Sequence, residues 1–217
     1  MDLLLQLAEC IEYGKTDINF PHPPHLKGKK GASELTKLAL ETGIAPGEIL
    51  KDSLMVGMKR VGEKFENGQA FIPNLLISSK AMYAAMDHLK PFFESGEVKH
   101  KGSVVIGTVA GDMHDIGKNI VKMVLEGDGW EVIDLGTNVT TDKFIESIKK
   151  HTPKFVGLSA LLTTTMMNME EVTKAIKNYN KEIQVFVGGA PLSADFANKI
   201  GSDGYFPDPH SLVKHVN

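Results

Sequence analysis

The sequence predicts an α/β chain in two parts, a bundle of four helices followed by a doubly wound sheet of five parallel strands. Three observations carry that expectation. Apolar residues recur at helical spacing through residues 1–93. From residue 103 onward, short apolar β-branched runs alternate with amphipathic helical stretches, the pattern of repeated βα units. Between the two, residues 94–102 are rich in charge and end in Gly102, as a linker between domains does. The expected boundaries are therefore 1–93, 94–102 and 103–217.

In the first part, Leu3, Leu4, Leu5, Leu7, Ala8 and Ile11 form one apolar face of a short helix. Asn19-Phe20-Pro21-His22-Pro23-Pro24-His25, followed by Lys27 to Gly31, reads as a loop, because closely spaced prolines remove amide donors and clash with a helical turn. His22 and His25 have no carboxylate or cysteine beside them in that loop, so a metal site is not expected there. Helical spacing resumes from Ala32 to Thr42, with Gly43 as the stop. Pro46 opens the next helix at its first turn, and Ile49, Leu50, Leu54, Met58 and Val61 share a face. The last helix starts after Pro73 and carries Leu75, Leu76, Ser79, Met82, Met86 and Leu89 to Pro91. The junction from Gly62 to Pro73 sets Phe65, Phe71 and Ile72 around a Gly-bearing turn. Either these side chains fill the bundle core, as apolar residues at helix junctions usually do, or some of them cover a ligand held by the second part.

The second part opens with Ser103-Val104-Val105-Ile106-Gly107-Thr108-Val109, a run without alternation, as in a strand buried on both faces. Ile116, Ile120, Val121, Val124 and Leu125 follow at helical spacing, so a helix begins near Gly117. Glu131 to Gly136 is the second strand, and Thr140 or Thr141 caps a helix running to Lys150. A third strand, Phe155 to Ala160, leads to a helix from about Met166 to Asn178. The fourth, Ile183 to Val187, ends in Gly188-Gly189. A short helix (Asp195 to Ile200), a strand (Gly204 to Phe206) and a closing helix (Pro209 to Val216) complete the pattern. Such βα units form a flavodoxin-like, Rossmann-type sheet of strand order 2-1-3-4-5, whose switch point lies between the first and third strands.

Composition excludes several classes. The chain has 217 residues and a formal charge of −3, which indicates neither a nucleic-acid footprint nor a basic membrane-surface patch. Cys10 is the only cysteine, so an intrachain disulfide and a thiolate metal cluster are both excluded. The N-terminus lacks the basic flank of a signal peptide, and no apolar run reaches transmembrane length. A cytoplasmic location is the expectation.

The chemistry gathers at the strand ends. Asp112 and His114 stand two residues apart in the Gly-bounded turn after the first strand, at the rim where parallel sheets bind ligands. A carboxylate that holds one imidazole nitrogen protonated leaves the other free to meet a metal. Ser159-Ala160-Leu161-Leu162-Thr163-Thr164-Thr165 leaves the third strand across the crevice. Gly188-Gly189 leaves the fourth, where the lack of side chains lets a bulky ligand approach the backbone.

These residues resemble the cobalamin-binding module of methionine synthase and of the corrinoid proteins of anaerobic multi-component methyltransferase systems. That signature is D-x-H-x-x-G, then S-x-L, then G-G, standing here as Asp112/His114/Gly117, Ser159/Leu161 and Gly188/Gly189. The bundle is similar to the family's helical cap, through Val61-Gly62-Glu63, Phe65, Gly68 and Phe71-Ile72-Pro73. The resemblance implies that His114 replaces dimethylbenzimidazole as the lower axial ligand of cobalt, the base-off, His-on form. It implies that Asp112 bonds the other ring nitrogen and that Thr165 continues the relay where the family carries serine. Met113, Asp115, Ile116 and Gly117 complete the cofactor-binding loop. Ser159, Leu161, Thr163, Gly188 and Gly189 would line the pocket of the nucleotide tail, and Phe65 and Ile72 would lie over the upper, methyl-bearing face. Two substitutions depart from the usual pattern, threonine at 165 and isoleucine at 72 where leucine is common. The loop from Asn19 to Gly31 is also longer than expected.

The function so implied is that of a corrinoid methyl carrier, not catalytic alone. Its partners would be a donor-specific methyltransferase, an acceptor methyltransferase (to tetrahydrofolate, for example) and a reductive activase, with no nucleic acid and no membrane. The donor would be a methoxylated aromatic, a methylamine or betaine, or methanol, and overall resemblance leans toward aryl O-demethylation. A small subunit of a cobalamin-dependent mutase shares D-x-H-x-x-G but lacks the helical cap. A cobalamin-sensing regulator would need a DNA-binding module, and none is visible. A flavodoxin proper would carry a hydroxyl-rich phosphate loop where Asp112 and His114 stand.

Overall fold

Each stretch of apolar periodicity becomes an element, and the elements group into two compact units. The computed structural model describes residues 2–217; Met1, the first residue of the expected bundle, lies outside the described residues. One unit runs up to His100 and takes in Gly127–Gly129, and the other holds Lys101–Glu126 and Trp130–Asn217.

The helical unit begins with α1 (Leu3–Tyr13), whose first turn is capped by the Asp2 carboxylate accepting from the Leu4 amide at 3.1 Å. Leu4, Leu7, Ala8 and Ile11 are buried, but Leu5 is 48% exposed, so the expected face is narrower than six residues. A helix turns about 100° per residue, which carries Leu5 out of the stripe. The loop after α1 is tied down by its own polar groups. Lys15 is fully buried and donates to the carbonyls of Ile18 and Phe20. Glu34, in α2 (Ala32–Glu41), accepts from the amides of Ile18 and Gly31 at 3.0 and 2.9 Å. His25 lies 3.5 Å from Glu9, a carboxylate that the sequence does not place beside it. Among the described residues no group of three or more metal-ligating side chains forms, there or elsewhere.

Pro46 is the first residue of α3 (Pro46–Ile49), which runs through a π-helical turn over Leu50–Leu54 into α4 (Met55–Glu66). Ile49, Leu50, Leu54, Met58 and Val61 are all buried, as their spacing predicts. The last helix of the unit, α5 (Ile72–Glu94), continues past Pro91, where the sequence predicts its end. Proline removes one amide donor, and the final turn still closes through the Ser95 amide on the Pro91 carbonyl at 3.0 Å. Beyond it the chain folds back. The Val98 amide donates to the Phe92 carbonyl at 3.0 Å, Val98 is buried, and the Phe93 ring stacks on His100 with centroids 4.3 Å apart.

The second unit is the expected parallel sheet, in the order β2-β1-β3-β4-β5. Its strands are β1 (Ser103–Thr108), β2 (Glu131–Asp134), β3 (Phe155–Ser159), β4 (Gln184–Gly188) and β5 (Gly204–Tyr205). The helices between and after them are α6 (Ile116–Gly127), α7 (Thr141–His151), α8 (Asn168–Tyr179), α9 (Ala194–Ile200) and α10 (Pro209–Val216). Thr140 caps α7, its side chain accepting from the Lys143 amide. Val105, Val156 and Val185 form the centre of the core with Phe144, Ile148, Met169 and Ile176. Burial of such side chains is worth about 1.5–3 kcal/mol each, which fixes the register. In that register Thr108, Ser159 and Gly188 stand level at the carboxyl ends of β1, β3 and β4.

Candidate functional site

The strand ends converge on one buried carboxylate. Asp112 follows β1 in a turn opened by Gly111, which sits at φ +80°. Its side chain is fully buried and receives five hydrogen bonds. Oδ1 accepts from the His114 amide at 3.0 Å and from His114 Nδ1 at 2.8 Å. Oδ2 accepts from the Leu161 and Leu162 amides at 2.8 and 3.3 Å and from the Thr165 hydroxyl at 2.6 Å. The carboxylate thus joins the loop after β1 to the loop after β3.

Burial on its own pushes the Asp112 carboxyl up. The bonds from Thr165, from the Leu161 and His114 amides and from the imidazole more than reverse this, and the group is held well below the usual carboxylate range. An ionised Asp112 can only accept. The hydrogen bond therefore assigns the proton of a neutral His114 to Nδ1 and leaves the lone pair on Nε2. The His114 side chain is 49% exposed, so that lone pair sits on a reachable imidazole. Thr108, buried at the end of β1, donates its hydroxyl to the His114 carbonyl at 2.9 Å and fixes the backbone on the far side.

The segments after β1 and β3 carry several exposed apolar side chains beside exposed polar ones. Met113, on the loop after β1, and Ile116, the first residue of α6, are 68% and 70% exposed, and Leu161, Leu162 and Met167, after β3, are also exposed. Asp115 stands at the entrance to α6 and accepts from Asn119 Nδ2 at 3.0 Å, holding the helix start. Ser159 is half-buried as the last residue of β3, and Thr163 is exposed on the following loop. Gly189 adopts φ +139°, and a Cβ there would stand 1.8 Å from the Ala160 carbonyl oxygen. Its glycine is thus demanded by the neighbouring strand end. Gly188 is different: a Cβ there meets nothing nearer than the Phe206 carbonyl oxygen at 3.6 Å, so its missing side chain leaves room at the crevice. In the helical unit Phe65 is half-buried, while Phe71 and Ile72 are 66% and 45% exposed, so the last two do not fill the bundle core.

Sequence matches agree with this geometry. Residues 102–213 match the family described as the B12 binding domain, and residues 28–90 match a second family of the same description. The chain belongs to the B12-binding family. Trimethylamine corrinoid protein 1 of Methanosarcina acetivorans is 40% identical over 189 residues, covering 85% of this chain and 88% of that protein. Dimethylamine corrinoid protein 1 of Methanosarcina mazei is 37% identical over 215 residues, 98% of this chain and 93% of that one. Among solved structures, the methanol:cobalamin methyltransferase complex of Methanosarcina barkeri superposes with a TM-score of 0.83 at 31% identity, over 98% of this chain and 77% of that one. A cobalamin-binding protein of Desulfitobacterium hafniense gives 0.75 at 29% identity, over 100% and 97%.

Cobalamin is the cofactor of this B12-binding chain, and the residues present suit it. A corrin brings its own equatorial nitrogens, so the protein needs to offer one axial nitrogen rather than a ligand cluster. The His114 imidazole, oriented by Asp112 and half-exposed, is a nitrogen that could serve as that donor. The Gly188 position would leave space for a ligand close to the β4 backbone, since a Cβ there meets nothing nearer than 3.6 Å. Asn138 and Asn168, which also bond the turn after β1, carry no motif that the sequence reading singles out. The signal for Asn138 was an asparagine two residues beyond Gly136, a residue type tolerant of left-handed turns.

Proposed function

We propose that the chain is a methyl carrier: it holds cobalamin in the base-off, His-on form through His114 and exchanges a methyl group between a donor and an acceptor methyltransferase. The observation that carries this reading is the hydrogen-bonded series His114–Asp112–Thr165 on a half-exposed imidazole. The bound group supplies a cobalt centre able to accept and release a methyl group. The chain's residues do the rest. His114 offers Nε2 with its lone pair. Asp112 fixes the tautomer and would hold the imidazole in place as a donor to the bound group. Thr165 and the Leu161 amide keep that carboxylate ionised.

Ser159, Leu161, Thr163, Gly188 and Gly189 line the nucleotide tail in this reading, and Met113, Ile116 and Gly117 meet the corrin. Phe65 and Ile72 of the helical unit are the apolar side chains that would shield the bound group from water. The match of residues 28–90 to a B12 binding family supports a carrier over a mutase subunit, which has no helical cap. Methylated amines are the donor class, with methylamine-named relatives as the support. We favour this class over the methoxylated aromatics toward which the overall resemblance leans. The partners are then a methylamine-dependent donor methyltransferase, an acceptor methyltransferase and a reductive activase, in the cytoplasm. No helix among the described residues is long and apolar enough to cross a membrane.

Reconstitution tests this. Cobalamin-loaded chain, reduced and mixed with a methylated amine and its methyltransferase, should gain the methyl-loaded spectrum, and should gain none without that enzyme. Methylation by the chain alone, or failure with every amine-dependent partner while a methoxyaryl-dependent one succeeds, would contradict the proposal.

A further inference from the structure

The turn that carries Asp112 and His114 contains Gly111 at φ +80°, and a glycine populates either sign of φ with little preference. A Cβ at that position would touch only Thr165 Cγ2 at 3.5 Å, so packing alone does not select the observed backbone. Hydrogen bonds add the selection: the Asp112 amide closes the turn on the Val109 carbonyl at 3.1 Å, and further bonds reach it from outside. Asn138, in the loop after β2, accepts on Oδ1 from the Gly111 amide at 2.8 Å and donates its own amide to the Asp112 carbonyl at 2.9 Å. The two bonds bracket Gly111 and Asp112. From the other side Asn168, at the start of α8, donates Nδ2 to the Ala110 carbonyl at 2.8 Å. The peptide between Ala110 and Gly111 is thus held at its oxygen by one asparagine and at its nitrogen by the other.

Asn138 itself is at φ +54°, one of two non-glycine residues with positive φ among the described residues. Asparagine tolerates that conformation better than most residues. The conformation is what lets one residue turn both its amide and its side-chain oxygen toward the same turn. The side chain is exposed and packs into no core.

We propose that Asn138 is a positioning residue for the axial ligand: it fixes Gly111 and Asp112 so that one carboxylate oxygen meets both the amide and Nδ1 of His114, and so sets the direction in which Nε2 is offered. The proposal rests on the reading of His114 as the cobalt ligand.

The test uses the full chain loaded with cobalamin and reduced to the cob(II)alamin state. Asn138→Gly keeps the left-handed backbone and the bond to the Asp112 carbonyl, and deletes only the acceptor for the Gly111 amide. Asn138→Asp restores that acceptor at an exposed position, where its charge is largely screened. Paramagnetic resonance should show that Asn138→Gly loses part of the axial-nitrogen coupling. Its cobalamin affinity should fall toward the lower end of the about 10- to 100-fold that outer partners of a metal-bound imidazole typically contribute. Asn138→Asp should keep both at the wild-type level. A purely structural asparagine would lower the melting temperature of the cofactor-free protein and leave the loaded spectrum unchanged. If Asn138→Gly does not fold, Asn168→Leu loosens the same peptide from its oxygen and should give the same partial loss. Wild-type coupling and affinity in the glycine variant, beside a His114→Ala variant that has lost its coupling, would overturn the positioning role alone. Coupling retained in His114→Ala would overturn the ligand reading, and this inference with it.

Discussion

Replacing Asp112 by asparagine tests the relay at the level of a single proton. Five donors meet this carboxylate, two on Oδ1 and three on Oδ2. An amide turns one of those acceptor oxygens into an NH2 donor. Placed on the Oδ2 side, the NH2 would face the Leu161 and Leu162 amides, which cannot become acceptors. Each buried donor so stranded costs about 1–3 kcal/mol. Placed on the Oδ1 side it strands one donor rather than two, the His114 amide, and it faces His114 Nδ1, which can accept if the imidazole moves its proton to Nε2. The second arrangement therefore wins, and it removes the lone pair from the nitrogen that would bind cobalt. Cobalamin affinity should fall by about 10- to 100-fold, or about 1.4–2.7 kcal/mol, without being abolished. The tautomer is directly observable. Long-range proton–nitrogen spectra of the cofactor-free protein should show Nδ1–H in the wild type and Nε2–H in Asp112→Asn. An Nδ1–H tautomer in the variant, with unchanged affinity, would refute the reasoning.

Other perturbations follow from the same geometry. Gly189→Ala would drive a Cβ to 1.8 Å from the Ala160 carbonyl oxygen at φ +139°. It should destabilise the fold by more than about 2 kcal/mol in thermal melts, whereas Gly188→Ala, with its nearest contact at 3.6 Å, should melt like the wild type. Reduced cobalamin binding by Gly188→Ala would then report the approach of the ligand itself. Lys118, only 4% exposed, donates to both oxygens of Asp134 at 2.6 and 2.7 Å. Asp134→Ala should cost about 3–5 kcal/mol at neutral pH, because the ammonium is left buried without its partner. Burial pushes the Asp134 carboxyl up, but Lys118, the Gly136 amide and Lys122 hold it below its ordinary value. A depressed carboxyl stabilises fully above the unfolded-state value, roughly pH 4, and the contribution is lost as pH falls through the lower folded-state value. Denaturant melts across that range should lose stability toward acid in the wild type, and Asp134→Ala should flatten the slope. An equal slope would exclude the pair as a source. Finally, burial pushes the Cys10 thiol up to about 12, with the neighbouring Glu9 charge adding to it. The folded protein should resist thiol reagents at neutral pH and react only on unfolding, so rapid labelling of the native chain would contradict the packing of α1.

The strands and the Asp112–His114 pair were legible because their signals are local. The run from Ser103 to Val109 lacks alternation, and Asp112 and His114 follow it directly, so strand, turn and chemistry come from adjacent residues. Thr165 could be placed only through resemblance. Its bond to Asp112 spans 53 positions, and no periodicity reports such a distance. Leu5 fell outside its face because an unbroken leucine run conceals where the stripe ends. The π-turn over Leu50–Leu54 left no trace, since its apolar spacing stays compatible with an ordinary helix. Gly189 was readable as a glycine at a strand end, but its steric reason, the Ala160 carbonyl, needed the register of β3 and β4. Asn138 and Asn168 were missed because asparagines in loops are common, and only their bonds to Gly111 and Ala110 distinguish them.

His114 is the one protein nitrogen proposed to meet cobalt, and isotopic substitution tests that claim most directly. Protein grown with nitrogen-15 histidine, loaded with cobalamin of natural isotopic abundance and reduced to the cob(II)alamin state, should convert the axial-nitrogen triplet of the paramagnetic resonance spectrum into a doublet. The coupling should vanish in His114→Ala. A triplet that survives histidine labelling would assign the axial nitrogen to the cofactor's own dimethylbenzimidazole and contradict the account.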